Sequence, residues 1–214
     1  MDLNDRDRPA SISYLSKFKM KNKELKVILL GDSGVGKTNI INRFLFGSFD
    51  EISKPTLGSS FFDKPLERDD YIYTLKVWDT SGQEKYNSIT KLFVKDSQII
   101  LLVYSIDNLK SFENIKFWFD FIKDELSRDE YILAIVGNKK DLFEKEVVDE
   151  EQAKNLANDL NANFFLISAK FDKQSIDKIF DILLDEYISS IDIINKPRKE
   201  SIKIKKEVDK KKCC

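Results

Sequence analysis

Apolar positions along this chain fall into two kinds of stretch that alternate. Short, nearly continuous apolar blocks occur in ELKVILLGDS, YIYTLKVWD, SQIILLVYSID, YILAIVGNKKD and NFFLIS. Blocks of this length, rich in β-branched residues and closed by turn residues, predict buried strands. Between them lie longer stretches whose apolar residues recur at helical spacing. TNIINRFLF carries Ile40, Ile41, Phe44 and Leu45 on one stripe, and LKSFENIKFWFDFIKDEL carries Phe112, Ile115, Phe119, Ile122 and Leu126. EEQAKNLANDL and SIDKIFDILLDEYISSIDII add two more helices. Strands alternating with helices predict an α/β fold with a largely parallel sheet covered on both faces. The aromatic positions on these helices are read as core. No internal repeat is evident.

The ends read differently. Residues 1–23 are polar, charged and aperiodic and are expected to be a flexible N-terminal extension. Pro197 and a lysine-rich composition mark the close of a domain taken as 24–192, followed by a basic tail over 193–214. From Lys196 to Cys214 nine Lys/Arg face three acids, a net of +6, which leaves −7 for residues 1–195 of a chain at −1 overall. An acidic body with a basic tail is expected to meet an anionic surface through the tail. A membrane fits better than a nucleic acid, because the acidic body would oppose a phosphate backbone.

Composition narrows the chemistry further. With no histidine in 214 residues, Ser-His-Asp triads, Cys-His dyads and His-ligated zinc are excluded. Both cysteines are Cys213 and Cys214, so no disulfide can close a loop within the domain, which suits a reducing compartment. The N-terminal stretch has no apolar core of a signal peptide, and Asp2 in place of Gly excludes N-myristoylation.

The strongest local signal is GDSGVGKT, residues 31–38, between the ILLG strand and a helix. G-x-x-x-x-G-K-[ST] in that setting is a phosphate-binding loop. Gly31, Gly34 and Gly36 allow a tight turn that aims successive backbone N–H groups at an anion, and the helix N-terminus adds its dipole. Lys37 is positioned to neutralise β- and γ-phosphates, and the Thr38 hydroxyl to ligate Mg²⁺. Downstream, Asn138, Lys139 and Asp141 follow an apolar strand, where open α/β sheets bind ligands. A carboxylate at Asp141 can accept from N1–H and the exocyclic amine of guanine. Adenine offers no such donor pair, so a kinase or ATPase using ATP makes the NKKD stretch an accident.

GDSGVGKT, WDTSGQE, GNKKD and SAK, in this order and at these separations, resemble a small GTPase of the Ras superfamily. TLGSSF, WDTSGQEKYNSIT and the terminal Cys-Cys make the resemblance one to the Rab family, covering about residues 24–192 plus the tail ending. It implies a P-loop NTPase fold of small G-protein type, with a mostly parallel six-stranded sheet flanked by about five helices. It implies GTP/GDP and Mg²⁺ as ligands, with Ser33, Gly34, Val35, Gly36, Lys37, Thr38 and Asn39 around the phosphates. Phe49 would stack on guanine. Asn138, Lys139 and Asp141 would read the base with Ser168, Ala169 and Lys170. Thr38, Thr56 and Asp79 would hold the metal, the Gly82 amide would touch the γ-phosphate, and Gln83 would orient the attacking water. Phe61, Trp78 and Phe93 resemble the aromatic trio that Rab proteins present to effectors.

The same resemblance implies a monomeric switch that hydrolyses GTP slowly alone and faster when a partner inserts an arginine. It implies an exchange factor, a GTPase-activating protein, a GDP-dissociation inhibitor or escort protein, and GTP-dependent effectors. Geranylgeranyl groups on Cys213 and Cys214 would hold the protein on the cytoplasmic face of an endomembrane, cycling with the cytosol and serving vesicle trafficking. Two lipids anchor stably where one does not. The sequence departs from the family at Ser81, where Ala is usual, in TLGSSF, in KLFVKDS and in SIDN. Those departures leave a second reading: a membrane-anchored nucleotide-binding scaffold with little hydrolysis.

Overall fold

The computed structural model describes residues 20–51, 60–80, 89–127 and 131–195. Its strands are β1 (Lys21–Leu30), β2 (Ser60–Arg68), β3 (Tyr71–Asp79), β4 (Ile99–Ser105), β5 (Ile132–Asn138) and β6 (Asn163–Leu166). They form one sheet in the order β2-β3-β1-β4-β5-β6. Every neighbouring pair is parallel except the β2–β3 hairpin. The helices are α1 (Lys37–Phe46), α2 (Ile89–Val94), α3 (Leu109–Glu113), α4 (Ile115–Lys123), α5 (Glu150–Asp159) and α6 (Lys173–Asn195).

Strict alternation along the central strands divides the core into two layers. On β1, Val27 and Leu29 face a layer closed by Ile40 and Phe44 of α1 and by Ile176, Phe180 and Leu183 of α6. Ile28 and Leu30 face the other layer, closed by Val94 of α2, Ile115, Trp118 and Ile122 of α4, and Ala153 and Leu156 of α5. β4 and β5 alternate in the same way, so all seven residues of β4 are buried. This double cover explains why those strands read as unbroken apolar runs.

Three features differ from the sequence expectations. The helix read across residues 109–126 is two: α3 ends at Glu113 and α4 starts at Ile115, with Asn114 between them at ψ −7. Its apolar face nevertheless packs inward, with Ile115 and Ile122 buried and Phe112 and Phe119 partly so. β1 begins at Lys21, inside the stretch expected to be a flexible extension, and pairs with β3 from Lys21 opposite Tyr71. The Lys23 ammonium lies 4.2 Å from the Tyr71 ring centroid, so charged residues gain a contact there without burial. At the other end α6 runs to Asn195, past the boundary drawn at 192. The tail over 196–214, with Cys213 and Cys214, lies outside the described residues.

β1 lies between β3 and β4, so the sheet extends from it in both directions. Open α/β sheets leave a crevice outside the carboxyl ends of the strands at such a point. The described residues of the 31–39 loop meet Asp79 there, and Asn138 joins that loop to Ala169.

Candidate functional site

β1 ends at Leu30, and the chain turns sharply at Gly31. A side chain at Gly31 would collide with the Val103 carbonyl of β4, so the loop crosses its neighbour at glycine distance only. The turn closes at Gly36, φ 97, which caps the start of α1 and is held against the Asn138 amide. Lys37 then folds back over the loop: its Nζ donates to the Gly31 carbonyl at 2.8 Å and to the Asp32 carbonyl at 3.1 Å. Ser33 and Gly34 stay exposed at the tip. The result is an open turn of backbone beside a buried ammonium and a helix N-terminus, a combination suited to a phosphate.

One helical position on, the Thr38 hydroxyl donates to Asp79 at the end of β3, 3.1 Å from Oδ1 and 2.9 Å from Oδ2. Asp79 is followed by Thr80, whose hydroxyl donates to the Leu29 carbonyl at 2.8 Å and ties the end of β3 to β1. A hydroxyl and a carboxylate converging beside a phosphate loop are hard oxygen donors, the set Mg²⁺ prefers when it also takes phosphate oxygens and waters. The residues present therefore fit that ion. Thr56, Ser81, Gly82 and Gln83 lie outside the described residues.

The base-reading candidates come together through Asn138, whose side chain is 1% exposed. Its Nδ2 donates to the Val35 carbonyl at 2.8 Å, and its Oδ1 accepts from the Ala169 N–H at 3.0 Å. One amide thus joins the phosphate loop to the loop after β6. The Ser168 hydroxyl donates to Asp141 at 2.5 Å, which fixes that carboxylate's direction. Lys139 takes a left-handed backbone, φ 66, and its ammonium lies 3.7 Å from Asp107. Lys170 pairs with Glu51 at 2.7 Å, and that hydrogen bond raises its pKa above the usual lysine value. Phe49 is half-buried against the core layer of α1 and α6. Asn39 exchanges bonds with Asp50 on both its amide atoms, 2.9 and 3.0 Å, and so fixes the segment that carries Phe49.

Several supporting residues carry no motif. Arg43 of α1 donates to the carbonyls of Ala169 at 2.9 Å and Lys170 at 2.6 Å, and so holds the SAK turn. Its guanidinium also lies 5.9 Å from the Phe49 ring centroid. Asp32, inside the phosphate loop, accepts from Asn114 and Trp118. Asp107 accepts from the Ser105 hydroxyl besides pairing with Lys139. Only the length of the Arg43 side chain on the polar flank of its helix hints at such reach.

Away from the crevice, Phe61, Trp78 and Phe93 lie in one row. Phe61 and Trp78 stack at 5.3 Å and 27°, and Trp78 and Phe93 meet at 5.4 Å and 39°. Phe61, directly opposite Trp78 in the β2–β3 register, is 55% exposed. Residues 26–189 match the sequence model of the Ras family.

Proposed function

The chain belongs to the Ras family of small GTPases, and we propose that it works as a Rab-type switch that recruits effectors to a membrane. As a small GTPase it alternates between GTP- and GDP-bound states. The observation that carries the nucleotide site is the convergence of segments far apart in sequence on one crevice. Thr38 meets Asp79, and Asn138 meets both Val35 and Ala169.

In this reading the backbone N–H groups of residues 33–39 bind the phosphates and Lys37 lies over the β- and γ-oxygens. Asp141, held by Ser168, accepts from the guanine edge, while Phe49 covers the ring. Thr38, Asp79 and Thr56 would hold Mg²⁺, which when bound neutralises phosphate charge. Phosphoryl transfer of this kind depends on positioning and electrostatics, so a chain without histidine is equipped for it. Gln83 orients the attacking water. Loss of the γ-phosphate releases the segments around Thr56 and Gly82, and the aromatic row of Phe61, Trp78 and Phe93 is the surface that effectors read.

The Rab-type assignment is supported by that row and by the basic ending with Cys213 and Cys214. We place the protein, with geranylgeranyl groups on both cysteines, on the cytoplasmic face of an endomembrane. There it would cycle with exchange factor, GTPase-activating protein and GDP-dissociation inhibitor during vesicle trafficking.

Two measurements test the reading. Single-turnover GTP hydrolysis is expected to slow at least tenfold in Gln83→Leu; equal rates would replace the timer with the nucleotide-bound scaffold. Paired baits loaded with a GTP analogue or GDP, followed by identification of bound proteins, are expected to differ. Identical sets would refute a γ-phosphate-dependent surface.

A further inference from the structure

The phosphate loop contains a carboxylate that the nucleotide reading does not use. Asp32 accepts from Asn114 Nδ2 on its Oδ2 at 2.5 Å and from Trp118 Nε1 on its Oδ1 at 3.1 Å. Asn114 and Trp118 are four residues apart, so they stand one turn apart on the same helical face. Each donor takes a different oxygen, and the two together fix both torsions of the Asp32 side chain. Asn114 is also the joint at which α3 gives way to α4.

We propose that Asp32, Asn114 and Trp118 form a latch between helix α4 and the phosphate loop that sets how long the nucleotide stays bound. The proposal rests on the guanine-nucleotide reading above. Asp32 is the last side chain anchored before the exposed tip at Ser33 and Gly34, where the backbone needs a left-handed turn at Gly34, φ 80. A flexible tip must be ordered before its N–H groups can converge on one phosphate, and that ordering lowers affinity unless it is already done. Lys37 fixes the loop through the carbonyls of Gly31 and Asp32, and Asn138 fixes its far end at Val35. The latch fixes the side facing α4. Trp118 is itself rigid: it is buried, and Phe117 and Phe121 meet its ring edge-on at 5.5 and 6.3 Å. Phe117 is partly exposed, so contact from outside the domain could reach the latch through it.

Asp32, Asn114 and Trp118 are positioning residues, and the assay must separate nucleotide dwell time from general stability. The full chain is loaded with fluorescent GDP in Mg²⁺, chased with excess GDP, and followed by fluorescence decay. Asp32→Ala and Asn114→Ala are each expected to release GDP at least about tenfold faster, the scale of losing hydrogen bonds to a charged group. The double variant should release no more than about twofold faster than Asp32→Ala alone, because both changes break one unit. Arg68→Ala, which removes both ion pairs from β2 to Asp181 and Asp185 of α6, should lower the melting temperature without changing the release rate. An Asp32→Ala rate within twofold of wild type would overturn the latch. So would slower release, which would mean that the carboxylate acts by repelling phosphate. Double-variant rates equal to the product of the single effects would also overturn it. A wild-type chain that retains no GDP would overturn the nucleotide reading and the latch together.

Discussion

Replacing Asn138 by alanine tests how far one buried amide holds two halves of the site together. The side chain gives one hydrogen bond to the Val35 carbonyl and receives one from the Ala169 N–H, and it is almost wholly buried. Alanine removes both partners at once and leaves a carbonyl and an N–H facing a void. A buried polar group left unpaired costs about 1–3 kcal/mol, so two such groups cost about 2–5 kcal/mol once partial relaxation is allowed. Both orphaned groups belong to loops that would contact the ligand. Most of the loss is therefore expected in nucleotide affinity and less in the sheet, whose strands pair independently of this side chain. At about 1.4 kcal/mol per tenfold, GDP affinity should fall by a factor of roughly 30 to several thousand. Equilibrium titration of nucleotide-free protein with fluorescent GDP measures the loss, and circular dichroism checks the fold. Asn138→Asp sharpens the test. One oxygen can still accept from Ala169, but the other would face the Val35 carbonyl with no proton between them, so its loss should be at least as large. An alanine variant binding GDP within threefold of wild type, with its fold intact, would refute the idea that this amide holds the two loops for nucleotide.

Other consequences follow from single contacts. Gly36→Ala places a methyl group against the Asn138 amide at a backbone φ of 97; isothermal titration should find GDP binding lost while the circular dichroism spectrum is kept. Thr38→Ala removes the hydroxyl that meets Asp79. Chelating Mg²⁺ should speed GDP release severalfold in wild type and barely change an already fast Thr38→Ala. Burial raises the Tyr104 pKa above its ordinary value of 10.0, with Glu146 and Glu150 adding to the shift. The folded chain therefore keeps this proton where the unfolded chain loses it. Its contribution to stability is complete below pH 10.0 and is lost as the pH rises through the folded value. Thermal melts between pH 9 and 11 should fall less steeply in Tyr104→Phe, and equal slopes would exclude Tyr104 as the titrating group.

The elements most legible in the sequence were those whose burial is two-sided. β4 and β5 are covered on both faces, so their composition alone marks them. β2 left no such signal. SFFDKPLER alternates half-buried and exposed residues at the sheet edge, and Pro65 inside it argues against a strand. The edge position resolves the conflict, since only one side of β2 is paired and the missing N–H of Pro65 need not break the ladder. α2 was missed because its six residues are too few to show a period. The break at Asn114 was invisible because the apolar spacing continues across it: Phe112 and Ile115 belong to the same core layer on either side.

The site was legible where chemistry demands a residue type at a fixed spacing, and illegible where it demands only a hydrogen-bond partner. The 31–38 loop and Asn138, Lys139 and Asp141 belong to the first kind, and the structure brings both groups to one crevice. Arg43 belongs to the second kind. It bonds to carbonyls 126 and 127 residues away, and every residue offers a carbonyl, so no spacing encodes the contact. Asp32 stands between these cases. Its partners Asn114 and Trp118 share a helical spacing, but nothing local says that the face they form points at a loop 82 and 86 residues earlier. What connects them is the packing of α4 against β4 and into its core layer through Ile115, Trp118 and Ile122. That burial sets the depth of the Trp118 ring and so brings its N–H to the phosphate loop. The core layer thus fixes geometry at the site, and a core substitution at Ile115 or Ile122 would reach the nucleotide through Asp32.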